Sequence, residues 1–223
     1  KIFVASDGME KFFPAGKLMI TGNPIRETIA ESRVSREEGI KFFGLDPAKK
    51  TILITGGSLG AKTINEAVAA SIEQLLQNNL QLIWQTGKLF VNEAKKVTAG
   101  KTGTWTNDFI TQMEYAFAAA DIVVSRAGAM AIAELCVVKK PVIFVPYPFA
   151  AEDHQTENAR RLVEKKAAIM IKDSEAREKL AGALIGLAAD EQEQNELKNN
   201  IGRLAAVNAD EIVANEILKI VND

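Results

Sequence analysis

Short apolar runs alternate along this chain with stretches of helical period, and that alternation limits what it can fold into. Runs rich in Val and Ile at residues 2–5, 17–21, 51–55, 81–85, 101–106, 122–125, 142–145 and 168–171 each fit one strand. Between them, apolar positions recur every three or four residues. Ile64, Val68, Ile72, Leu75 and Leu76 form one stripe, Ala129, Ile132, Ala133 and Cys136 a second, and Ala159, Leu162 and Val163 a third. Strands that read as unbroken apolar runs are buried on both faces, which parallel sheets achieve with crossover helices on either side. The expected fold is α/β: a parallel sheet with helices on both faces. After Asp173 the strand signal stops, and residues 174–190, 191–207 and 210–221 read as consecutive C-terminal helices, with Ser174 and Asp210 near two of their starts.

Gly22-Asn23-Pro24 is a turn-forming cluster in which Pro24 keeps Asn23 extended. The expected organisation is residues 1–22 as the tail of a preceding domain with its linker, and residues 23–223 as an α/β domain. The chain opens on a strand-like Lys1-Ile2-Phe3-Val4-Ala5 without an initiator methionine, so it is expected to begin partway through a longer protein. A formal net charge of −2 and the lack of any basic tract give no reason to expect a nucleic-acid partner. No apolar run approaches the ~20 residues a spanning helix needs, so any membrane attachment is expected to be peripheral or to lie outside this sequence. The single cysteine, Cys136, cannot form an intramolecular disulfide, and a reducing, cytosolic compartment is expected. Set among Ala133, Leu135 and Val137, it reads as a small buried residue rather than a nucleophile.

Ligands of open parallel sheets bind beyond the carboxyl ends of the strands, so the loops that leave strands and enter helices hold the candidate chemistry. The first is Thr55-Gly56-Gly57-Ser58-Leu59-Gly60-Ala61. Glycines let backbone N–H groups approach an anion, and the helix terminus that follows favours negative charge; a tight structural connection reads the same way. The spacing matches neither G-x-G-x-x-G nor the P-loop, which argues against a dinucleotide enzyme and an ATPase. The second is Ser125-Arg126-Ala127-Gly128-Ala129-Met130, with Glu134 four residues after Met130 on the same helix face. Glu134 could accept hydrogen bonds from the two hydroxyls of a ribose, or be a solvated helix residue. The third runs from Pro146 to Asn158, where Asp153 is the expected helix cap and His154, Gln155 and Asn158 lie within one turn of each other. They could grip sugar hydroxyls. His154, the only histidine, reads first as a capping or surface group and only second as a general base. With no second histidine and no cysteine pair, no metal site is expected.

Taken in order, Gly22-Asn23-Pro24-Ile25-Arg26, Gly56-Gly57-Ser58-Leu59-Gly60-Ala61, Ser125-Arg126-Ala127-Gly128-Ala129 with Glu134, and Asp153-His154-Gln155 with Asn158-Ala159 closely resemble the C-terminal half of the MurG family. These are N-acetylglucosaminyltransferases of peptidoglycan synthesis that use UDP-GlcNAc and an undecaprenyl-diphospho-muramoylpentapeptide acceptor. Gly8-Met9-Glu10-Lys11-Phe12-Phe13-Pro14 looks like the end of that family's N-terminal domain. The match spans nearly the whole chain; each motif is weak alone, but the ordered set is specific. The resemblance implies a GT-B fold, two Rossmann-like domains facing across a cleft, with this chain as the UDP-GlcNAc-binding domain. It further implies that Ile110 meets the uracil through its backbone and that Glu134 holds the ribose. Gly57, Ser58, Arg126, Gly128 and Ala129 would surround the diphosphate with Arg26 near it, and Met130, Ala131, His154, Gln155 and Asn158 would face the GlcNAc. No cofactor is implied, because oriented amides and an arginine can replace a metal on the leaving diphosphate. The catalytic base, the lipid-linked acceptor and peripheral attachment to the cytoplasmic face of the plasma membrane would belong to the N-terminal domain. This chain alone is expected to bind donor and turn nothing over.

Three positions depart from the family pattern: Ala131 stands where a hydroxyl residue is common, Lys139-Lys140-Pro141 replaces Gly-Lys-Pro, and Lys172-Asp173 lacks a usual glutamine. Competing readings are a UDP-GlcNAc 2-epimerase-like enzyme on the same scaffold and a non-catalytic nucleotide-sugar-binding module. The Gly-Asn-Pro-Ile-Arg and Asp-His-Gln signals favour the transferase over the epimerase.

Overall fold

A computed structural model describes residues 1–5 and 7–222; the last residue of the expected 23–223 unit lies outside them. The N-terminal segment forms β1 (Ile2–Val4) and β2 (Leu18–Ile20), a parallel pair in a small sheet of their own. The short helix α1 (Glu27–Ala30) and α2 (Arg36–Phe42) follow, the latter started by a capping box in which Ser35 and Glu38 satisfy each other's backbone amides. Then come β3 (Lys50–Thr55), α3 (Lys62–Gln77), β4 (Leu80–Gln85), α4 (Val91–Thr98), β5 (Thr104–Asn107), α5 (Met113–Ala119), β6 (Ile122–Ser125), α6 (Ala129–Val138), β7 (Val142–Phe144), α7 (His154–Glu164) and β8 (Ile169–Met170). Helices α8 (Ala176–Ala189), α9 (Glu191–Gly202) and α10 (Ala209–Asn222) close the chain. No described helix is long and apolar enough to cross a membrane.

Strands β3 to β8 form one parallel sheet in the order β5-β4-β3-β6-β7-β8. Counted from β3 this is 3-2-1-4-5-6, the doubly wound order, whose direction reverses between β3 and β6. Successive side chains divide the core in two. Ile52, Ile54, Leu82, Trp84, Ile122 and Val124 face the layer made by α3 and α8. Leu53, Ile83, Val123, Val142 and Phe144 face the layer of α2, α5 and α6. Each such fully buried aliphatic or aromatic side chain stabilises by about 1.5–3 kcal/mol.

All eight expected strands form. Strand β5 starts later than expected because Gly103, at φ +81°, still belongs to the turn before it. Helix α8 does not begin at Ser174: Asp173–Glu175 is a 3₁₀ turn and Glu175 is the residue before the α-helix. Asp153 does precede α7, but its φ is +51° and its carboxylate accepts the Thr156 hydroxyl (2.7 Å) rather than a backbone amide. Lys139, in the glycine's place at the end of α6, adopts the left-handed conformation (φ +53°) that glycine would adopt without strain.

Candidate functional site: the crevice between the third and sixth strands

The first elbow, after β3, is wound by Gly57 (φ +81°) and Gly60 (φ +78°), with the Gly60 amide donating to the Gly57 carbonyl at 3.1 Å. A Cβ on Gly60 would stand 2.0 Å from the Thr86 carbonyl oxygen, so the elbow lies directly on the loop after β4. That loop is itself held from the core. The buried Trp84 indole donates to Asn65 Oδ1 (3.0 Å), and Asn65 Nδ2 donates to the Thr86 carbonyl (2.8 Å). Gln85 completes the frame. Its Nε2 donates to the Gly57 carbonyl (2.9 Å) and the Thr55 hydroxyl (3.3 Å), and its Oε1 accepts from the Ile110 amide (3.0 Å). The Ser58 hydroxyl makes no hydrogen bond among the described residues and is exposed.

The second elbow, after β6, ends at Gly128, which precedes α6 with φ −69° and no side-chain cap. Nothing lies within 4 Å of where its Cβ would be, so neither backbone conformation nor packing requires glycine there. The first amides of α6 have no intrahelical acceptors and carry the positive end of the helix dipole. One turn and a half along α6, Glu134 pairs with Arg26 from the segment after Pro24, accepting on Oε1 from Nη2 (3.0 Å) and Nε (3.2 Å).

These pieces enclose a cleft of about 170 Å³ at the β3/β6 reversal. Of the sequence-derived candidates, Arg26, Gly57, Ser58, Ile110 and Glu134 line it, together with Ala131. Gly128 precedes and Ala129 and Met130 open the helix that carries Glu134, but none of the three lines the cleft. Arg126 is placed differently: its Nη1 donates to the Val145 (2.9 Å) and Pro146 (3.0 Å) carbonyls and pairs with Asp173, and its guanidinium lies 5.5 Å from the Tyr147 ring centre. At the start of α7, His154 Nδ1 lies 2.7 Å from the Ala151 carbonyl and Gln155 Oε1 accepts from the Tyr147 amide (3.0 Å); neither lines the cleft. Asn158 donates to the Ala127 carbonyl (3.2 Å), bracing the second elbow from behind.

Asn158 and Ala129 border a larger, mainly apolar hollow of about 550 Å³ lined by Ala5, Asp7, residues 20–23 and parts of α6, α7 and α10. Cys136 lies in its wall, and burial pushes the thiol up to about 11, which leaves no appreciable thiolate at neutral pH. Sequence reasoning passed over Gln85 and Phe109. The signal for Gln85 was present, since it is the polar residue that ends the buried strand β4 at its ligand-facing end. Among the described residues no group of three or more His, Cys, Asp or Glu side chains is gathered for a metal ion.

Topology and elbows define the class: a doubly wound α/β domain with a crevice at the point where strand order reverses, the arrangement of nucleotide-binding folds. Residues 51–214 match the family described as Glycosyltransferase family 28 C-terminal domain. The UDP-N-acetylglucosamine–N-acetylmuramyl-(pentapeptide) pyrophosphoryl-undecaprenol N-acetylglucosamine transferase of Parabacteroides distasonis is 47% identical over 224 residues, covering 100% of this chain and 61% of that protein. The chain spans about three fifths of the length of the curated relatives it matches. The crystal structure of Acinetobacter baumannii MurG matches 90% of this chain and 57% of its own, with a TM-score of 0.71 and 28% identity. A UDP-N-acetylglucosamine 2-epimerase structure, at 12% identity and TM-score 0.62 over 96% of this chain and 54% of its own, shares the fold alone. The chain belongs to glycosyltransferase family 28, of which it is the C-terminal domain.

Proposed function

We propose that this chain is the donor-binding half of an inverting glycosyltransferase that moves GlcNAc from UDP-GlcNAc to the muramyl sugar of an undecaprenyl-diphosphate-linked pentapeptide. The observation that carries this reading is the convergence of Ser58, Ile110 and Glu134 on one cleft at the β3/β6 reversal. In this reading the uracil sits by Ile110, whose amide is already taken by Gln85, leaving its carbonyl for the base. The ribose hydroxyls bind Glu134, which exchanges Arg26 for them, and the freed guanidinium turns to the diphosphate. Gly57, Ser58, Gly128, Ala129 and the first amides of α6 receive the phosphate oxygens. Met130, His154, Gln155 and Asn158 lie toward the sugar.

The chemistry follows from where charge develops. As the bond from the anomeric carbon to the diphosphate breaks, its electron pair passes to the leaving oxygen, and oriented amides stabilise that charge without reorganising. The muramyl hydroxyl attacks the opposite face of that carbon and loses its proton to a base. We assign that base, the lipid-linked acceptor and peripheral attachment to the cytoplasmic side of the membrane to the remaining length of the longer relatives' architecture.

Calorimetric titration with UDP-GlcNAc, UDP-GalNAc and TDP-glucose tests the donor site. UDP-GlcNAc should bind best, and Glu134→Ala should weaken it by roughly 10–100-fold, as loss of a charged acceptor for two hydroxyls does. Its melting temperature should stay within a few degrees, since Arg26, the partner left behind, is half-exposed and solvated by water. Equal binding by the variant would sink the assignment.

A further inference from the structure

Asp173 lies where four strand-end segments meet. One carboxylate oxygen pairs with Arg126 of the second elbow; the other accepts the Thr63 hydroxyl (2.9 Å) from the first turn of α3, the helix that leaves the first elbow. Arg126 meanwhile reaches the Val145 and Pro146 carbonyls after β7. All three of these acceptors gather on Nη1, and Nε and Nη2 make no hydrogen bond among the described residues. Asp173 and Arg126 are both largely shielded from water, so the pair is screened less than a surface one.

We propose that Asp173 is a positioning residue for the donor diphosphate. It ties the helix of one elbow to the arginine of the other, which sets the spacing between the two amide clusters. By holding Arg126 through a single nitrogen, it keeps the rest of the guanidinium fork fixed and unspent for a phosphate. Without the carboxylate, Arg126 keeps only two carbonyl acceptors, and a long side chain so tethered samples other rotamers at an entropic cost to binding. The inference rests on the donor-site reading above.

The test compares UDP with uridine, which lacks both phosphates, by calorimetry and ligand-observed NMR titration on the full chain. Asp173→Ala should weaken UDP by ~10-fold, the size of effect expected when a charge-assisted contact loses its pre-organisation, and leave uridine within about twofold. Asp173→Asn, which keeps an acceptor oxygen and a polar partner for Thr63, should recover UDP binding to within about threefold of the parent; Thr63→Val should lose about threefold. A merely structural role would weaken UDP and uridine together, and that result overturns the proposal. So would Asp173→Ala binding UDP like the parent, or Asp173→Asn behaving no better than Asp173→Ala. If the unaltered protein fails to bind UDP, or if Glu134→Ala binds as well as the parent, the donor-site reading falls and this inference falls with it. If only the Asp173 variants are silent, the donor site stands and this inference alone fails.

Discussion

The two edges of the six-stranded sheet treat their polar groups in opposite ways. At the amino edge the donors and acceptors are spent on one another. Asp121 accepts from the Thr51 amide (2.8 Å) and from Arg36 Nε (3.3 Å) and Nη2 (3.1 Å). Arg36 also donates to the Pro47 (3.0 Å) and Lys49 (2.9 Å) carbonyls. Gln81 exchanges two bonds with the Asp46 backbone and donates to the Thr51 hydroxyl (2.9 Å). Lys140 caps the end of α5 through the Ala120 carbonyl (2.7 Å). At the carboxyl edge the Ser58 hydroxyl, the first amides of α6 and two nitrogens of Arg126 are left without partners among the described residues. The same sheet is sealed at one end and open at the other, where the exposed Ser58 hydroxyl and the first α6 amides face solvent with no protein partner and are free to meet a ligand. The contrast separates residues that hold the fold from residues kept for a ligand.

The largest expected effect comes from breaking the sealed edge. Asp121→Ala strands the fully buried Thr51 amide and leaves Arg36 without its counter-charge. The cost should be about 2–4 kcal/mol in urea denaturation, below the full figure for a buried pair because Arg36 is partly exposed. UDP affinity of the folded fraction should stay within about twofold, the edges being separated by the length of the strands. A variant that kept its stability and lost UDP binding would dissolve the distinction between the edges.

Two glycines at the open edge sharpen it. Gly60→Ala drives a Cβ into the Thr86 carbonyl and holds a left-handed φ, so it should cost at least about 2 kcal/mol of stability. Gly128→Ala meets nothing and keeps an ordinary φ, so its stability should move by no more than about 0.5 kcal/mol. Its added methyl stands in the path of a phosphate approaching the α6 amides, and UDP affinity should fall roughly tenfold, a loss of about 1.4 kcal/mol. Thermal melts and titrations on the same two proteins check both halves. A Gly128→Ala variant that binds UDP normally would remove the second elbow from the ligand site.

How far the sequence reached follows the same division. The central strands β3, β4, β6 and β7 were legible because they are buried on both faces and therefore largely apolar. The elbows were legible as tight turns because glycines directly after a strand permit the left-handed φ that Gly57 and Gly60 adopt. The neighbour relation of β3 and β6 was not, since 66 residues lie between Thr55 and Ile122 and no local pattern encodes which strands pair. Side-chain direction was also hidden: Arg126 lies in the second elbow, yet its guanidinium is drawn to Asp173, 47 positions away. Residues 191–207 read as one helix, but α9 stops at Gly202, where the Lys139 side chain packs against the missing Cβ. Gln85 supports both the first elbow and Ile110 through a register set only when β3, β4 and β5 align.

The last expected effect, which appears only above about pH 8, is a pH dependence confined to the sealed edge. Burial lowers the Lys140 ammonium to about 8, against which the nearby Asp121 carboxylate pulls upward, while Lys198 and Arg36 push it down further. The folded-state value thus lies below the unfolded one of 10.5, so between about pH 8 and pH 10.5 the unfolded chain binds more protons than the folded one. Stability attributable to this residue should therefore rise with pH across that window, by at most about 1.4 kcal/mol per pH unit, and be flat below it. Lys140→Met, which retains the aliphatic stem, should remove that rise without changing UDP affinity. Denaturation midpoints of parent and variant from pH 7 to pH 10.5 measure the difference directly. A parent curve that falls relative to Lys140→Met over that range would mean the ammonium gains more from Asp121 than it loses by burial. Lys140 would then be an ion-pair partner in the network rather than a charge the fold tolerates to cap α5.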